Sequence, residues 1–406
     1  MLTKTLTPLE AVNEIRNDDN GQVVLVLQGG GALGAYQGGV YQALHEAGIE
    51  PDWIIGTSIG AINASIITGN KPEDRLSRLK EFWRRVDRSE AWDGVFPAWS
   101  GIGDALTSWG TLANGIPGFF ELNPRAFFGT HVPLGPDQAG YYSTDPLRKT
   151  LEELVDFTLI NQKRPRLTVG AAHVRTSMMH YFDSQKMDLC ASHIMASGAL
   201  PPAFPAVRID GELYWDGGIL SNTPAECIFE DRPRRNSLIF AVHLWHPTGD
   251  EPGSVWQILH RQKDIQYSSR IANHIVRQRE AHRLRHVISE LLEFVPPEAR
   301  HNPRVKKLAG YSCRTRMHVV RLLAPRLKNE THMKDIDFSP AGICARWEAG
   351  CADTKCALQE QGWLEDSDPL EGVILHEPRA GAEPAAEAKM TGAVTAPADL
   401  PRRAAE

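Results

Sequence analysis

The chain contains no apolar run approaching the ~18 residues that a membrane-spanning helix requires. Its first twenty residues, MLTKTLTPLEAVNEIRNDDN, lack the apolar stretch of a secretory leader. Six cysteines (Cys190, Cys227, Cys313, Cys344, Cys351 and Cys356) include no C-x-x-C pair, and Cys351 and Cys356 stand five apart with no pair of histidines nearby. That pattern argues against structural zinc. No internal repeat is visible. A formal net charge of −6 over 406 residues is too small to argue for nucleic acid as a partner. These absences leave a soluble protein, expected in the cytoplasm.

What is present is ordinary in amount and uneven in arrangement. Hydrophobic residues make up 42% and charged residues 23%, enough to build a sizeable core. At ~150 residues per domain the length fits two or three domains, or one large α/β domain with additions. Residues 261–330 carry 16 Lys and Arg against 6 Asp and Glu, whereas 331–406 carry 7 against 14. A basic segment therefore lies between acidic neighbours.

The opening reads as a parallel α/β sheet. Val23-Val24-Leu25-Val26-Leu27 suits a strand buried on both faces, and Gln28 to Gly34 follows as a glycine-rich loop. Apolar spacing then predicts a helix over 35–47, a strand at 52–55, a tight turn and a small-residue helix over 61–68. An amphipathic helix is expected over 72–87, a helix opening at Asp145-Pro146 and running to about Leu159, strands at 167–174 and 178–183, and a helix near 190–197. Asp210-Gly211 between Val207-Arg208-Ile209 and Leu213-Tyr214-Trp215 marks a hairpin. The last clear strand is 238–244, followed by a long basic helix over 255–292, a candidate strand at 317–323 and a Cys-containing helix over 340–362. The expected organisation is an N-terminal arm (1–20), an α/β domain (21–250), a basic helical region (251–375) and a disordered tail (376–406). Within the second of these, residues 91–128 form an insertion with Trp92, Phe96, Trp99, Trp109, Phe119, Phe120, Phe127 and Phe128. It reads equally as a lid or acyl pocket and as a satellite core.

Three motifs carry chemistry. Gly56-Thr57-Ser58-Ile59-Gly60 lies between a strand and a helix, the context of a nucleophile elbow. There a strained turn projects the hydroxyl at a helix N-terminus, and the flanking glycines remove Cβ clashes. The bland alternative is a serine that caps its helix. Gly29-Gly30-Gly31, with Gly34 beyond, can converge backbone N–H groups into an oxyanion nest. The same glycines fit G-x-G-x-x-G, but the acidic residue a dinucleotide site needs after the second strand is missing. Close packing is the third reading. Asp216-Gly217-Gly218 ends a strand and can deliver a carboxylate to another loop, or can be an ordinary Asx turn.

These blocks, QGGGALGAYQGG (28–39), GTSIGAINA (56–64) and ASGALPPAFPAVRIDGELYWDGG (196–218), resemble the patatin-like phospholipase family, in that family's order. The resemblance spans residues 21–250 and implies a three-layer α/β/α sandwich with a mainly parallel central sheet, here followed by a mostly helical C-terminal extension. It implies a Ser58–Asp216 dyad, an oxyanion loop at Gly29, Gly30 and Gly31, supporting glycines at 34, 56, 60, 217 and 218, hydrolysis of fatty-acyl esters in lipids, and no metal or cofactor. Two positions depart from the family pattern. Leu33 stands where many members carry Arg or Lys, and Gln28 where Asp or Ser often precedes the glycines. The backbone nest survives both changes, while an anionic headgroup loses one attracting charge.

Three alternatives stand beside this reading. His243 and His246 follow Asp216 in the order of a Ser…Asp…His triad. The basic 261–330 segment is a solvated helix face, an oligomer contact or a peripheral membrane contact. A patatin-fold interaction protein with weak or no catalysis, acting through its C-terminal region, is the alternative function.

Overall fold

The computed structural model describes residues 6–18, 21–87, 115–128, 133–327, 330 and 333–378. Helix α1 (Pro8–Asn17) starts from a capping box in which Thr7 and Glu10 satisfy each other's backbone amides. Strand β1 (Gln22–Leu27), helix α2 (Ala35–Glu46), strand β2 (Trp53–Thr57), helix α3 (Ile59–Thr68) and helix α4 (Pro72–Arg85) follow the order expected from the apolar pattern. Next come a small pair, β3 (Glu121–Leu122) and β4 (Tyr142–Ser143), and helix α5 (Asp145–Leu154). The last of these is shorter than expected. Val155 is extended, and the Asp156 side chain takes the Thr158 amide to cap a new turn, α6 (Phe157–Ile160). Trp92, Phe96, Trp99 and Trp109 of the aromatic insertion, and the tail beyond residue 378, lie outside the described residues.

The remaining elements are β5 (Arg166–His173), β6 (Met178–Asp183), α7 (Ala191–Ser197), β7 (Val207–Ile209), β8 (Glu212–Asp216), α8 (Glu226–Glu230), β9 (Ser237–His243), α9 (Val255–Glu293), α10 (Pro303–Ala309), β10 (Met317–Leu323), α11 (Pro340–Glu360) and β11 (Val373–His376). The Asp210-Gly211 hairpin forms as read, with φ of 50° and 85° at the two turn residues. The main sheet runs β11-β10-β9-β1-β2-β5-β8-β7, with β6 also paired to β5. Strands β11, β10, β9, β1, β2 and β5 are parallel, and β6, β7 and β8 add antiparallel pairings.

Period-two alternation gives the sheet two cores. Val23, Leu25 and Leu27 of β1 join Leu238, Phe240 and Val242 of β9 on one face, against α2, α3 and α4. Val24 and Val26 join Ile55, Ile239 and Val319 on the other, against Ile228 and Phe229 of α8. Helices on both faces make the three-layer α/β/α arrangement. The C-terminal region supplies β10 and β11 to this same sheet, and α11 packs on α2 at backbone distance: a Cβ on Gly39 would fall 1.8 Å from the Trp347 carbonyl oxygen. No helix among the described residues is long and apolar enough to cross a membrane.

Candidate active site

The register around β5 explains how two distant motifs meet. Residues 166–170 of β5 pair with β2, and residues 171–173 pair with β8. Strand β6 pairs with residues 168–173 and overlaps both, so it occupies the opposite edge of β5. β2 and β8 therefore share one edge and run toward each other. Their C-terminal residues, Thr57 and Asp216, sit opposite neighbouring positions Gly170 and Ala171. Ser58 is the next residue after Thr57.

Ser58 adopts φ 56° and ψ −126° at the N-terminus of α3, a strained conformation for a residue with a Cβ. Its amide is held by the Ser197 carbonyl at 3.1 Å and the Ser197 hydroxyl oxygen at 3.0 Å. Ser197 in turn donates to the Gly170 carbonyl at 2.6 Å. Gly56 and Gly60 permit the turn: a Cβ on the first would fall 2.3 Å from the Gly60 carbonyl oxygen, and one on the second 2.2 Å from that of Leu27. Gly34 packs against Ile59, and Gly217 against the Gly170 carbonyl.

Asp216 is 2% exposed. Burial pushes its carboxyl up to about 6, while hydrogen bonds from the Ser58 hydroxyl and the Gly218 amide, the latter at 2.7 Å, hold it back. An aspartate with that pKa is a competent base near neutrality. Neither His243 nor His246 lines the cavity over Ser58. His243 lies in β9, 2% exposed, with its pKa lowered to about 3 by burial and by Arg321.

The glycine loop lies directly over Ser58. A Cβ on Gly29 would meet the Ser58 Cβ at 3.0 Å and Asn222 Oδ1 at 2.4 Å. The Gly29 N–H donates to the Asn222 carbonyl at 3.2 Å, and the Gly29 carbonyl accepts from Asn222 Nδ2 at 3.0 Å and Trp245 Nε1 at 2.8 Å. Among the described residues the amides of Gly30 and Gly31 donate to no backbone acceptor. Gln28, fully buried, anchors the base of the loop: its Oε1 accepts the Leu244 and Trp245 amides, and its Nε2 donates to the Tyr267 carbonyl at 3.2 Å. Leu33 turns away from Ser58 into a cleft with Glu330, Lys334 and Arg346.

Sequence reasoning missed Asn222, Ser197 and the C-terminal strap at 334–338. Asn222 lies only four residues beyond Gly218, in Gly-Ile-Leu-Ser-Asn, but no spacing rule marks it. The strap is held by Lys334, 2% exposed, on Asp264 at 2.9 Å, and by Lys263 on Asp335 at 2.7 Å. The Asp335 carbonyl oxygen lies 2.2 Å from where a Cβ on Gly31 would stand, and Gly31 has φ 56°, so the contact needs glycine twice over. A cavity of about 160 Å³ opens over Ser58 and Asp216, walled by Phe119, Phe120, Tyr142, Phe204 and Phe338. Phe119 and Phe120 belong to the described end of the insertion. Among the described residues, no group of three His, Cys, Asp or Glu side chains is arranged to hold a metal ion.

Residues 25–227 match the family model described as patatin-like phospholipase, and residues 265–370 match a second described as patatin phospholipase. An uncharacterized NTE family protein of Mycobacterium tuberculosis is 29% identical over 213 residues, covering 51% of this chain and 28% of that protein. A patatin-like phospholipase domain-containing protein of Caenorhabditis elegans is 25% identical over 256 residues, 61% of this chain and 16% of its own length. The chain thus spans less than a third of the length of these relatives. Among solved structures, VipD from Legionella pneumophila aligns with a TM-score of 0.37 and 16% identity, covering 84% of this chain and 67% of that one. On the family match, which takes in the glycine loop, the serine elbow and the Asp216 turn, this chain belongs to the patatin-like phospholipase family.

Proposed function

We propose that this chain is a serine hydrolase of lipid acyl esters, working through Ser58 and Asp216. The observation that carries the reading is the pair itself: a serine at φ 56° with its hydroxyl on a buried carboxylate titrating near 6. Ser58 attacks the ester carbonyl and gives its proton to Asp216. The tetrahedral oxyanion lies against the amides of Gly30 and Gly31 and the N-terminus of α3. Gly29 contributes shape rather than a donor, because its N–H is already taken by Asn222. Collapse expels the alcohol, which receives the proton from Asp216. The carboxylate then deprotonates a water that attacks the acyl-enzyme, releasing the fatty acid and regenerating Ser58.

The aromatic cavity receives the acyl chain. An apolar cavity of ~150 Å³ admits benzene, so roughly six carbons fill this one and longer chains extend through its mouth. The outward face of α9 bears Val255, Trp256, Ile258 and Ile265, all at least half exposed, on the helix whose Tyr267 lines the cavity. Together with the basic 261–330 segment, this face suits peripheral contact with a lipid surface.

The test is p-nitrophenyl ester hydrolysis over a series of chain lengths, with fluorophosphonate labelling. Wild type is expected to hydrolyse and label, Ser58→Ala to do neither, and Asp216→Asn to lose turnover with its fold intact. A folded wild type that neither hydrolyses nor labels would transfer the weight to the interaction-protein reading. Loss of activity in a folded His243→Ala protein would move the mechanism to a triad.

A further inference from the structure

Away from Ser58, the inner side of α9 carries two groups that the fold leaves without partners. His282 is 0% exposed, and neither of its ring nitrogens has a hydrogen-bond partner among the described residues. Arg285, one turn further on, has a buried Nη1 in the same condition. His286 shows that this is not a property of the helix face, since its two nitrogens lie 3.2 Å from the Pro369 carbonyl and 3.0 Å from that of Thr315.

The segment between α8 and β9 closes on the same place. The Phe229 ring meets His282 edge-on with centroids 6.0 Å apart, and the Phe229 carbonyl accepts from Arg234 Nε at 3.4 Å. Arg234 and Arg232 both act electrostatically on Arg285, and Arg234 and Arg285 on His282. Among the described residues, no Asp or Glu figures among the charges acting on either group; the other neighbours are His286 and the Cys313 thiol. Arginines that are themselves buried carry carboxylates: Arg75 pairs with Glu50, Arg166 with Asp183 and Asp231, and Arg346 with Asp337. Guanidiniums that act on Arg285 and His282 with no carboxylate opposing them, among the described residues, repel one another unless an anion enters.

We propose that Arg232, Arg234, Arg285 and His282 form a binding site for a phosphate group, carried by a soluble compound or by a lipid headgroup. Two guanidinium forks match phosphate oxygens in paired hydrogen bonds, and His282 supplies a further N–H from its buried edge. The charge of a phosphate monoester, near two units, balances the cluster better than a single carboxylate does. Arg232 is exposed and Arg234 half-buried, so the cluster reaches the surface. The site is separate from the esterase centre. Arg232 and Arg234 precede the first residue of β9, whereas Ser58 and the glycine loop follow the last residues of strands parallel to it. Seven residues of strand at ~3.3 Å each, roughly 20 Å, lie between the two ends.

Calorimetric titration of the full chain with inorganic phosphate, and co-sedimentation with phosphatidylcholine vesicles with and without phosphatidic acid, test the proposal. Binding of either probe by wild type is expected to weaken at least about tenfold in Arg285→Gln and in Arg234→Gln. It should persist in Arg283→Gln, which removes an exposed charge beside the cluster and controls for general attraction to anions. Binding of inorganic phosphate identifies a soluble ligand; binding only of phosphatidic acid vesicles identifies a headgroup. Circular dichroism establishes that each variant is folded, and Arg285→Lys, which keeps the charge, should retain part of the affinity if Gln loses it through charge rather than through damage. Absence of binding to both probes overturns the proposal, as does equal weakening in Arg283→Gln and Arg285→Gln.

Discussion

At the scale of single residues the site depends on one ionisation. Asp216 is buried with no cation acting on it, so its carboxyl titrates near 6 rather than 3.8. In the proposed mechanism only the ionised form takes the Ser58 proton. The kcat/KM profile for a soluble ester is therefore expected to fall tenfold per pH unit below an apparent pKa of about 6, read from a pH–rate series. The same shift acts on stability with the opposite preference. The folded state favours the protonated form, so this contribution is present below pH 3.8 and is lost as pH rises through 6. At ~1.4 kcal/mol per unit the loss is about 3 kcal/mol. Urea denaturation should then find Asp216→Asn more stable than wild type at pH 7, by up to that amount, with the difference vanishing below about pH 4. Asn222→Ala removes the clamp on the Gly29 carbonyl and should lower kcat about tenfold with KM little changed, as measured on the same ester.

Elements decide what the site can hold and meet. The 334–338 strap adds Phe338 to the wall beside Phe119, with ring centroids 5.9 Å apart; Phe338 is 2% exposed and stacks on Trp83 at a centroid distance of 6.2 Å. Phe338→Ala enlarges the cavity and should move the chain-length optimum to longer acyl groups, at a stability cost of about 3–5 kcal/mol. A chain-length series with matched denaturation curves separates the two effects. On α9, the outward apolar residues Val255, Ile258 and Ile265, with Trp256, lie outside the two buried clusters. The double change Trp256→Ser and Ile258→Ser should leave soluble-ester turnover within about twofold, while lowering hydrolysis of vesicle lipid severalfold. Equal loss on both substrates would remove the lipid-surface reading of this face.

For the whole molecule, the sheet continues past the point where the strongest motifs end. β10 pairs with the full length of β9, and α11 lies on Gly38 and Gly39 of α2. A chain ended at residue 250 would expose the outer edge of β9 and lose the strap over the glycine loop. Rapid proteolysis and loss of cooperative thermal unfolding are the expected outcomes. Gly39→Val, which drives a side chain into the Trp347 carbonyl, should weaken the same union by about 1–3 kcal/mol in a denaturant titration.

The division between sequence and structure follows the range of the forces involved. Local patterns were enough for the β1–loop–α2 and β2–elbow–α3 units, for the Asp210-Gly211 hairpin and for the long helix over 255–292, because turn chemistry and apolar periodicity act within a few residues. Local patterns also marked the Ser58 elbow and the glycine loop, while it was the order of the three blocks, through the family resemblance, that added Asp216 to the set. They could not reveal that β2 and β8 meet end to end along one edge of β5, which is what brings Ser58 to Asp216. Nor could they show that the Gly29 amide is taken by Asn222, or that Lys334 and Asp335 lie over the loop from 300 residues away. The four-residue β11 was invisible for the same reason: a run that short becomes a strand only when β10 offers an edge. The sequence by itself determined the local form of each motif, the elbow at Ser58, the glycine loop and the Asp216 turn, since each satisfies its own backbone geometry. The tertiary structure alone decided which of them touch, because strand register, burial and the partners of each buried polar group belong to the assembled sheet.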